Sequence, residues 1–477
     1  MGSIRSALIY SAASQYILKA LSLISVIAVA RLLTPAEVGV FAIASSLVLI
    51  TGELKSLGAG TYLIRAEKLD DATIKSATGL MMLISWSMGG LLFFLSPWLA
   101  VFYQVPDLKI ILRLLSYSFF LAPFISIPRA LLTRDLKFKA IFYISIITQL
   151  TLLISTIIFI LLGFSYFSLA YASVIGYTIE LVLTLVFKPQ GTPWLPAFTN
   201  LLRILKFGIY VTFGNLFAKF SLSLPDLIIG KQGTAAEVAL FSRGVGFLDF
   251  VSNTLKQGIT PVAMPYLSEQ KRLGHPLEEP YLKATMLLGV IVWPALAVAG
   301  IVSSPIILLF FGPQWADTAP LVSILCLWGL FRNIHSLAPP LLVTAGKEKQ
   351  LCTKQGVVFL GYAGSIWLCY PFGLQSVGWG LVGIAVVDFI YSTALLQVSL
   401  NFKPSKLLRS ATANIVITLI CALSAYILFS LLNIREVGEL TSLAFIAPSV
   451  MAVWLLGLKV SRHDLWDELT TLYKRYV

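Results

Sequence analysis

Apolar runs of about 20 residues recur along the whole chain, and this feature constrains the fold more than any other. A run of that length crosses about 30 Å of hydrocarbon as an α-helix, because each backbone polar group is then paired within the segment. Only 12% of the residues are charged and 58% are hydrophobic, which argues against a water-soluble enzyme. The solvent of this chain is predicted to be the lipid bilayer.

These runs predict an all-α polytopic membrane protein with about fourteen transmembrane helices. The first run is interrupted by Lys19 and continues to Arg31, so we interpret it as an uncleaved span rather than a signal peptide. The predicted spans are 7–30, 36–64, 77–102, 110–128, 140–163, 165–187, 207–230, 235–266, 284–311, 318–345, 355–371, 376–400, 410–433 and 440–458.

Lysine and arginine residues concentrate in every second loop, for example in segments 129–139 and 347–354. By the positive-inside rule these loops face the cytoplasm, which places both termini there and the chain in the cytoplasmic (inner) membrane. The same bias accounts for most of the net charge of +13, so no nucleic-acid partner is predicted.

An internal repeat divides the chain. Residues 30–42 read ARLLTPAEVGVFA and residues 230–242 read GKQGTAAEVALFS, an offset of 200 residues. The repeat predicts two related six-helix lobes around a central cavity, followed by two additional helices. The predicted boundaries are 1–187 for the N-lobe, 188–206 for a cytoplasmic linker with a short interfacial helix, 207–403 for the C-lobe, and 404–477 for helices 13 and 14 and a cytoplasmic tail.

The repeated T-x-A-E sequence predicts helix caps. Thr34 with Glu37, and Thr234 with Glu237, have the spacing of a capping box at the start of a helix. We favour this structural role over substrate contact.

Charged residues within the predicted spans are the candidates for function. Facing lipid, each would cost about 2.5–3.5 kcal/mol, so most must face the protein interior or a watery cavity. The basic residues are Lys19, Lys55, Arg113, Lys219, Arg243, Lys256 and Arg332. The acidic ones, apart from the capping glutamates, are Glu53, Glu180, Asp226, Asp249 and Asp388.

Four of the lysines recur across the repeat. Lys19 aligns with Lys219, and Lys55 aligns with Lys256 after a shift of one residue. Such a set would offer a fixed positive field to an anionic group such as a diphosphate. The seven basic residues also outnumber the five acidic ones, which favours ligand binding by the set.

Structural pairing is the open alternative for individual charges. Asp226 lies seven residues after Lys219, and Lys256 lies seven after Asp249, so each pair shares a helix face; salt bridges between helices would account for several charges. His335 is a candidate proton carrier, although a lone histidine is more often a satisfied polar residue.

Asp388 and Glu180 are candidates for binding a coupling ion or a proton.

Motifs of enzymes are missing from the sequence. No GxxxxGK[ST] phosphate-binding loop occurs, and the histidines have no metal-ligand spacing, so we predict no catalytic site, metal site or cofactor. Helix-breaking residues at 58–60 and 261–265 interrupt the second and eighth predicted helices in corresponding regions. Such breaks mark either a binding site or hinge of a transporter, or a kink that packing tolerates.

Three segments resemble a known family. ARLLTPAEVGVFAIASS at 30–46, LGAGTYLIR at 57–65 and PRALLTRDLKFK at 128–139 are similar to the polysaccharide-exporter branch of the multidrug, oligosaccharidyl-lipid and polysaccharide (MOP) superfamily. That branch contains flippases for O-antigen, colanic acid and other exopolysaccharide units. The resemblance covers nearly the whole chain.

The resemblance implies a flippase that moves an oligosaccharide on polyprenyl diphosphate to the outer leaflet by alternating access. It implies coupling to a Na+ or H+ gradient and, as partners, membrane lipids and the polymerase and glycosyltransferases of a polysaccharide pathway. The four lysines would bind the diphosphate with Arg113, Arg243 and Arg332 assisting, and the last two helices would line a groove for the lipid tail.

The acidic residues Asp226, Asp249 and Asp388 would balance charge or carry the coupling ion. Two other functions stay open. A drug exporter of the same superfamily would share the fold and would be separated by a drug-resistance assay. An integral membrane glycosyltransferase or acyltransferase would need an exposed catalytic carboxylate or histidine, which the short outer loops disfavour.

Overall fold

The computed structural model describes residues 2–55, 59–66, 69–189, 192–193, 195–199, 201, 217, 220–256, 260–432 and 438–476, with the side chains of 2–9, 11–12, 260–264 and 472–476 excepted. Every regular element within these residues is a helix. The all-α polytopic fold class is therefore confirmed. Contacts divide the chain into a first unit, Met1–Ala239, and a second unit, Leu240–Val477.

Eight helices are described in the first unit, of which five are longer than 20 residues. They are α1 (Gly2–Leu32), α2 (Pro35–Leu54), α3 (Ala59–Arg65), α4 (Asp71–Phe102), α5 (Leu108–Arg134), α6 (Phe138–Leu161), α7 (Phe167–Phe187) and α8, the helical segment 220–232. Helix α5 lies at the centre, because it packs against α2, α3, α4 and α7. Helix α1 packs on α6, which in turn pairs with α7.

The second unit contains the remaining helices, although the first of them begins just before the division. They are α9 (Ala235–Lys256), α10 (Thr260–Arg272), α11 (Glu278–Ile301), α12 (Ser303–Phe311), α13 (Thr318–Ile334), α14 (Ala338–Ala345), α15 (Glu348–Cys369), α16 (Leu374–Leu400), α17 (Pro404–Leu431), α18 (Glu439–Val460) and α19 (Asp464–Tyr476). Helix α11 packs against both α13 and α17, and α17 packs against α18.

Eleven helices among the described residues are long and apolar enough to cross a membrane. The predicted count of fourteen stays a prediction. Half of span 207–230 lies outside the described residues, while α9 and α15 are too polar to meet the same measure of hydropathy. The low hydropathy of α9 comes from its four charged residues, which are Glu237, Arg243, Asp249 and Lys256.

Both capping boxes are present, as predicted. The backbone N–H of Glu37 donates to Thr34 Oγ1 over 3.4 Å, and the backbone N–H of Thr34 donates to Glu37 Oε2 over 2.8 Å. The corresponding distances for Thr234 and Glu237 are 3.2 and 2.8 Å. These bonds satisfy donors that the first turn of a helix leaves unpaired, so the local sequence fixes where each helix begins.

The two predicted interruptions have different outcomes. The second predicted helix is divided close to 58–60, because α2 ends at Leu54 with Lys55 as its C-cap and α3 begins at Ala59. The interruption predicted at 261–265 is wrong: α10 runs unbroken from Thr260 to Arg272 with Pro265 inside it, since packing tolerates a proline within a helix of a membrane protein. Lys256 is the last residue of α9 that the structure describes.

About half of the predicted linker 188–206 lies outside the described residues, including 200 and 202–206 of the predicted interfacial helix, so its boundaries and that helix stay predictions. The contact-based division falls further along the chain, within α9, because α8 groups with the first unit. There the carboxylate of Asp226 on α8 accepts a hydrogen bond of 2.6 Å from the Ser46 hydroxyl on α2.

Candidate functional site

The first unit contains a polar cavity of about 300 Å³ beside the end of α2. Its charged lining residues are Lys55, Arg129 and Glu180, which come from α2, α5 and α7. The remaining lining residues are small, polar or aromatic: Ser118, Ala122, Ile125, Ser126 and Tyr177. Two cations face one carboxylate, so this cavity carries an excess of positive charge.

Arg129 and Glu180 form an ion pair, and Arg129 Nη2 also donates to Ser145 Oγ over 3.0 Å. Lys55 makes no ion pair within 4 Å among the described residues; its Nζ lies 5.6 Å from the centroid of the Phe119 ring. An ammonium group held over an aromatic face keeps its charge for a further partner. Of the two cations in the cavity, Lys55 is the one available to an anionic ligand.

Sequence analysis assigned Arg129 to a cytoplasmic loop, and this was wrong. Helix α5 continues to Arg134, so Arg129 lies inside the helix and is half-buried. The signal was present in the sequence, because the apolar residues Ala130, Leu131 and Leu132 follow Arg129 directly.

Two predicted ligands of the first unit do not line this cavity. Lys19 is half-buried on α1. Arg113 lies near the start of α5, where its Nε donates to Ser96 Oγ over 3.2 Å and its guanidinium stacks 4.7 Å from the Phe93 ring centroid. About 20 Å of helix separates Arg113 from Ser126 in the cavity wall. Lys219 lies outside the described residues.

The second unit has an ion pair between helices α13 and α9. Arg332 Nη2 donates to Asp249 Oδ1 over 3.1 Å, and both side chains are half-buried. The guanidinium of Arg332 also stacks 4.8 Å from the Trp328 ring centroid. Arg332 Nη1 is buried and has no hydrogen-bond partner among the described residues.

Sequence analysis considered Lys256 as the partner of Asp249, but the ion pair of Asp249 is made by Arg332. Lys256 lies two turns further along α9, near enough to interact electrostatically with both Arg332 and Asp249. It makes no ion pair within 4 Å in the described part of the chain. The cluster of Lys256, Arg332 and Asp249 has a net positive charge, as does the cavity around Lys55.

The guanidinium of Arg243 has a donor without a hydrogen-bond partner. Its Nε is buried and lacks a partner among the described residues. The guanidinium lies 5.4 Å from the Trp315 ring centroid and 6.0 Å from that of Phe311. A buried donor without a partner is uncommon in proteins and is satisfied by water or a ligand. Arg243 is therefore positioned to contact an anion.

Asp388 pairs with a residue that sequence analysis overlooked. Lys354 Nζ lies 2.7 Å from Asp388 Oδ1, and Ser392 Oγ donates to the same oxygen over 3.3 Å. Sequence analysis placed Lys354 in a loop, but α15 begins at Glu348 and Lys354 is only 6% exposed. A buried lysine requires a partner, which Asp388 on α16 provides.

His335 has hydrogen bonds at both ring nitrogens. Its Nδ1 lies 2.7 Å from the Tyr281 hydroxyl, and its Nε2 lies 2.9 Å from Thr393 Oγ1. The Thr393 hydroxyl donates its proton to the Phe389 carbonyl, so it accepts from Nε2–H, and Nδ1 accepts from Tyr281. This arrangement is typical of a satisfied polar residue in a packed core, the alternative that sequence analysis favoured.

Comparison with solved structures shows the fold. The lipid II flippase MurJ in its inward closed conformation matches 96% of this chain and 99% of its own length with a TM-score of 0.76, at 14% identity. An inward-facing multidrug resistance MATE transporter of the MOP superfamily matches 82% of this chain and 98% of its own length with a TM-score of 0.65, also at 14% identity. Together with the membrane-spanning helices, these likenesses show the fold of a multi-pass membrane protein.

The family follows from sequence comparison. The model of the polysaccharide biosynthesis protein family matches residues 28–320, and the chain belongs to this family. It is 23% identical to the teichuronic acid biosynthesis protein TuaB of Bacillus subtilis (strain 168) over 78% of this chain and 77% of that one. It is 22% identical to the lipopolysaccharide biosynthesis protein WzxC of Escherichia coli (strain K12) over 71% and 69%. The succinoglycan biosynthesis transport protein ExoT of Rhizobium meliloti (strain 1021) is 21% identical over 76% of each chain.

Proposed function

We propose that this transporter is a flippase. It moves oligosaccharide repeat units linked to polyprenyl diphosphate from the cytoplasmic to the outer leaflet of the cytoplasmic membrane by alternating access, for surface polysaccharide synthesis. The observation that carries the proposal concerns three predicted ligands inside the helices, Lys55, Lys256 and Arg243, none of which makes a salt bridge within 4 Å among the described residues.

The chemistry of the substrate matches these cations. A diphosphate carries several negative charges on compact oxygens, and lysine and arginine bind such groups through charge-assisted hydrogen bonds. The relatives are named for teichuronic acid, lipopolysaccharide and succinoglycan biosynthesis, and the last of them is named a transport protein. These names support a saccharide as the cargo.

We assign Lys55 as a diphosphate contact within the first unit, and Lys256 and Arg243 as diphosphate contacts within the second. Arg332 assists while paired with Asp249, because its Nη1 is left without a partner among the described residues. Lys19, Lys219 and Arg113 stay predicted ligands that no contact described here supports.

An apolar groove in the second unit is suited to the polyprenyl tail. It has a volume of about 640 Å³ and lies between α11, α13, α16 and α17. Aromatic and aliphatic side chains form its walls, among them Trp293, Phe331, Ile390 and Leu419. Burial of each CH₂ of the tail would contribute about 0.8 kcal/mol. Of the two additional helices, only α17 contributes to this groove among the described residues.

Coupling to a Na+ or H+ gradient is the remaining part of the proposal. Three of the candidate carboxylates form an ion pair with an arginine or a lysine: Glu180, Asp249 and Asp388. A coupling ion would have to compete with that cation for the carboxylate. Asp226 accepts a hydrogen bond from the Ser46 hydroxyl and stays a predicted carrier of the coupling ion. Both termini lie in the cytoplasm in this proposal, and the polymerase and glycosyltransferases of the pathway are its partners.

Single substitutions test the assignment. Lys55→Ala, Lys256→Ala and Arg243→Ala should each reduce translocation of a lipid-linked oligosaccharide in proteoliposomes at least tenfold, since one charge-assisted contact contributes about 1.5–3 kcal/mol. Lys137→Ala and Arg272→Ala are matched controls, because both side chains are exposed and distant from the cavities. Wild-type translocation by all three interior variants would overturn the assignment. Drug resistance conferred without any effect on polysaccharide would favour the multidrug exporter instead.

A further inference from the structure

A second polar cavity lies in the second unit, away from the interior cations. It has a volume of about 470 Å³ and opens between the start of α11, the start of α17 and the turn that joins α18 to α19. Its charged lining residues are Lys283, Lys406, Arg409 and Arg462, with the two carboxylates Glu279 and Asp464. None of the residues assigned to the diphosphate lines this cavity.

The four cations of this basic cavity differ in their partners. Lys406 Nζ lies 2.6 Å from Glu278 Oε2, and Lys283 Nζ lies 3.9 Å from Asp464 Oδ2. Arg409 and Arg462 make no ion pair within 4 Å among the described residues. Two exposed guanidinium groups therefore face the same cavity without an acidic partner in the described chain.

A buried network fixes the floor of the basic cavity. His463 Nε2 donates to Asn414 Oδ1 over 3.0 Å, and Asn414 Nδ2 donates to the Met286 carbonyl over 2.9 Å. These bonds join the α18–α19 turn to α17 and α11. Asn414 is fully buried, so the backbone that carries Arg462 is held close to the helix that carries Arg409.

An apolar groove continues from the basic cavity between α17 and α18. It has a volume of about 550 Å³ and shares Ala413 and Ser461 with the basic cavity. The other residues of its walls are Thr412, Val416, Ile417, Ile420, Val453, Leu456, Gly457 and Val460. Val416, Leu456 and Val460 are exposed although they are aliphatic. On a membrane protein such side chains face lipid chains.

The helix that follows the cavity supports a position at the membrane surface. Leu465 and Trp466 of α19 pack against the core formed by α11, α17 and α18, while Asp467 and Glu468 are exposed. This amphipathic pattern is typical of a helix that lies in the membrane interface. The basic cavity is then at headgroup depth, with the apolar groove directed into the hydrocarbon.

We propose that the basic cavity and the groove together bind one anionic phospholipid. Arg409 and Arg462 hold the phosphate oxygens of the headgroup, and one acyl chain fills the groove between α17 and α18. Guanidinium groups suit this role because they present paired donors to a phosphate. Positive charge at one end and apolar walls at the other match a lipid, whereas a soluble phosphate would use only the first. The bound lipid fastens the last two helices and α19 to the second unit.

The test measures lipid retention by the purified full-length chain, and not transport, so it does not depend on the proposed function. Native mass spectrometry compares retention of palmitoyl-oleoyl phosphatidylglycerol with that of the zwitterionic phosphatidylcholine of the same chains. Wild-type protein should retain phosphatidylglycerol preferentially. The double variant Arg409→Ala/Arg462→Ala should reduce that preference about thirtyfold, because each basic residue near an anionic lipid surface contributes about a fivefold factor.

A second variant tests the groove. Ala413→Phe places a large side chain where the groove joins the basic cavity, and it should reduce retention of both lipids. Matched controls are Arg272→Ala, an exposed arginine outside the cavity, and Ala444→Phe, an exposed alanine of α18 that lies more than four helical turns before the α18–α19 turn. Both controls should retain lipid as the wild type does, and melting temperatures in phosphatidylcholine identify any variant that fails to fold.

Three outcomes would overturn the proposal. One is unchanged preference for phosphatidylglycerol in the double arginine variant. Another is an equal loss in Arg272→Ala, which would indicate attraction by net charge alone. The third is displacement of phosphatidylglycerol by millimolar inorganic phosphate or by stoichiometric undecaprenyl phosphate, which would assign the cavity to a soluble anion or to the polyprenyl carrier.

Discussion

Arg332 of α13 reaches Asp249 of α9 over 3.1 Å and at the same time stacks on Trp328. The pair joins two helices whose contacting residues are 83 positions apart in the chain. It also leaves Arg332 Nη1 buried without a partner among the described residues, so one carboxylate does not satisfy the guanidinium. This arrangement combines a structural contact with a donor that remains for a ligand.

Replacing Arg332 should therefore affect stability as well as transport. Arg332→Ala leaves Asp249 without its cation and should lower the free energy of unfolding by about 1–3 kcal/mol, between the values for exposed and buried pairs. Arg332→Lys keeps the charge but not the plane that stacks on Trp328, so it should recover only part of that loss. Thermal unfolding in detergent measures both. Equal stability of the alanine variant and the wild type would show that the contact is not formed.

The pair between Lys354 and Asp388 should be the more costly one to break. Lys354 is almost fully buried, and Lys354→Ala leaves Asp388 as an uncompensated charge, with an expected loss of about 3–5 kcal/mol. The double variant Lys354→Leu/Asp388→Leu should recover most of it, because two apolar side chains remove the unpaired charge. Lys349→Ala, an exposed lysine of the same helix, serves as the control. A double variant less stable than the single one would contradict this account.

The two capping boxes should contribute to stability and not to transport. Thr34→Ala and Thr234→Ala each remove a side-chain acceptor for a helix N-terminus and should cost about 1 kcal/mol. Thr34→Ser and Thr234→Ser keep the hydroxyl and should restore stability. Loss of translocation in the alanine variants at wild-type stability would instead assign these threonines to substrate contact.

Docking of α19 should depend on pH through His463. Burial lowers the pKa of His463 below its usual value of about 6.5, and Asp464 offsets part of this effect. The Leu465 backbone N–H donates to Nδ1 over 3.1 Å, so the docked form requires a neutral ring. Its contribution to stability is complete above about pH 6.5 and is lost as the pH falls through the lowered pKa, because the undocked histidine binds the proton first.

Hydrogen–deuterium exchange of residues 464–476 at about pH 7.5 and 5.5 measures this dependence. In the wild type, exchange at the lower pH should be faster than the intrinsic pH dependence of amide exchange predicts. The His463→Gln variant cannot titrate at this position and should lose the pH dependence of exchange. The His275→Gln variant replaces an exposed histidine and should keep that pH dependence. The same pH dependence in His463→Gln and the wild type would exclude His463 as the titrating group.

Patterns within about ten residues of sequence predicted much of this structure. Apolar run length predicted the helices, Thr34 and Glu37 predicted the start of α2, and the residues at 58–60 predicted where the second helix is interrupted. The same reasoning was wrong at 261–265, where α10 continues through Pro265. These features depend on backbone hydrogen bonding and conformational preference, which neighbouring residues control. The repeat at an offset of 200 residues identified Lys55 and Lys256 as counterparts, and both lie at the end of a long helix.

Partners of the charged residues came only from the tertiary structure. Sequence spacing placed Lys256 on the same helix face as Asp249. The ion pair of Asp249 is nevertheless made by Arg332, because α13 packs on α11 and carries Arg332 next to α9. Arg129 and Lys354 were predicted to lie in loops, but both lie in helices. Arg129 is half-buried and pairs with Glu180, and Lys354 is buried and pairs with Asp388. Such pairs depend on how each helix is rotated and how far it extends, which a hydropathy pattern leaves open.

The sequence by itself thus determined that the chain is a membrane protein built of helices, where α2 and α9 begin and where the second predicted helix is interrupted, and that the predicted spans contain more basic than acidic residues. Only the tertiary structure decided which cations are neutralised and which remain for a ligand. The physical reason is that an ion pair forms or fails over a few ångströms between helices, a distance set by packing between segments remote in sequence.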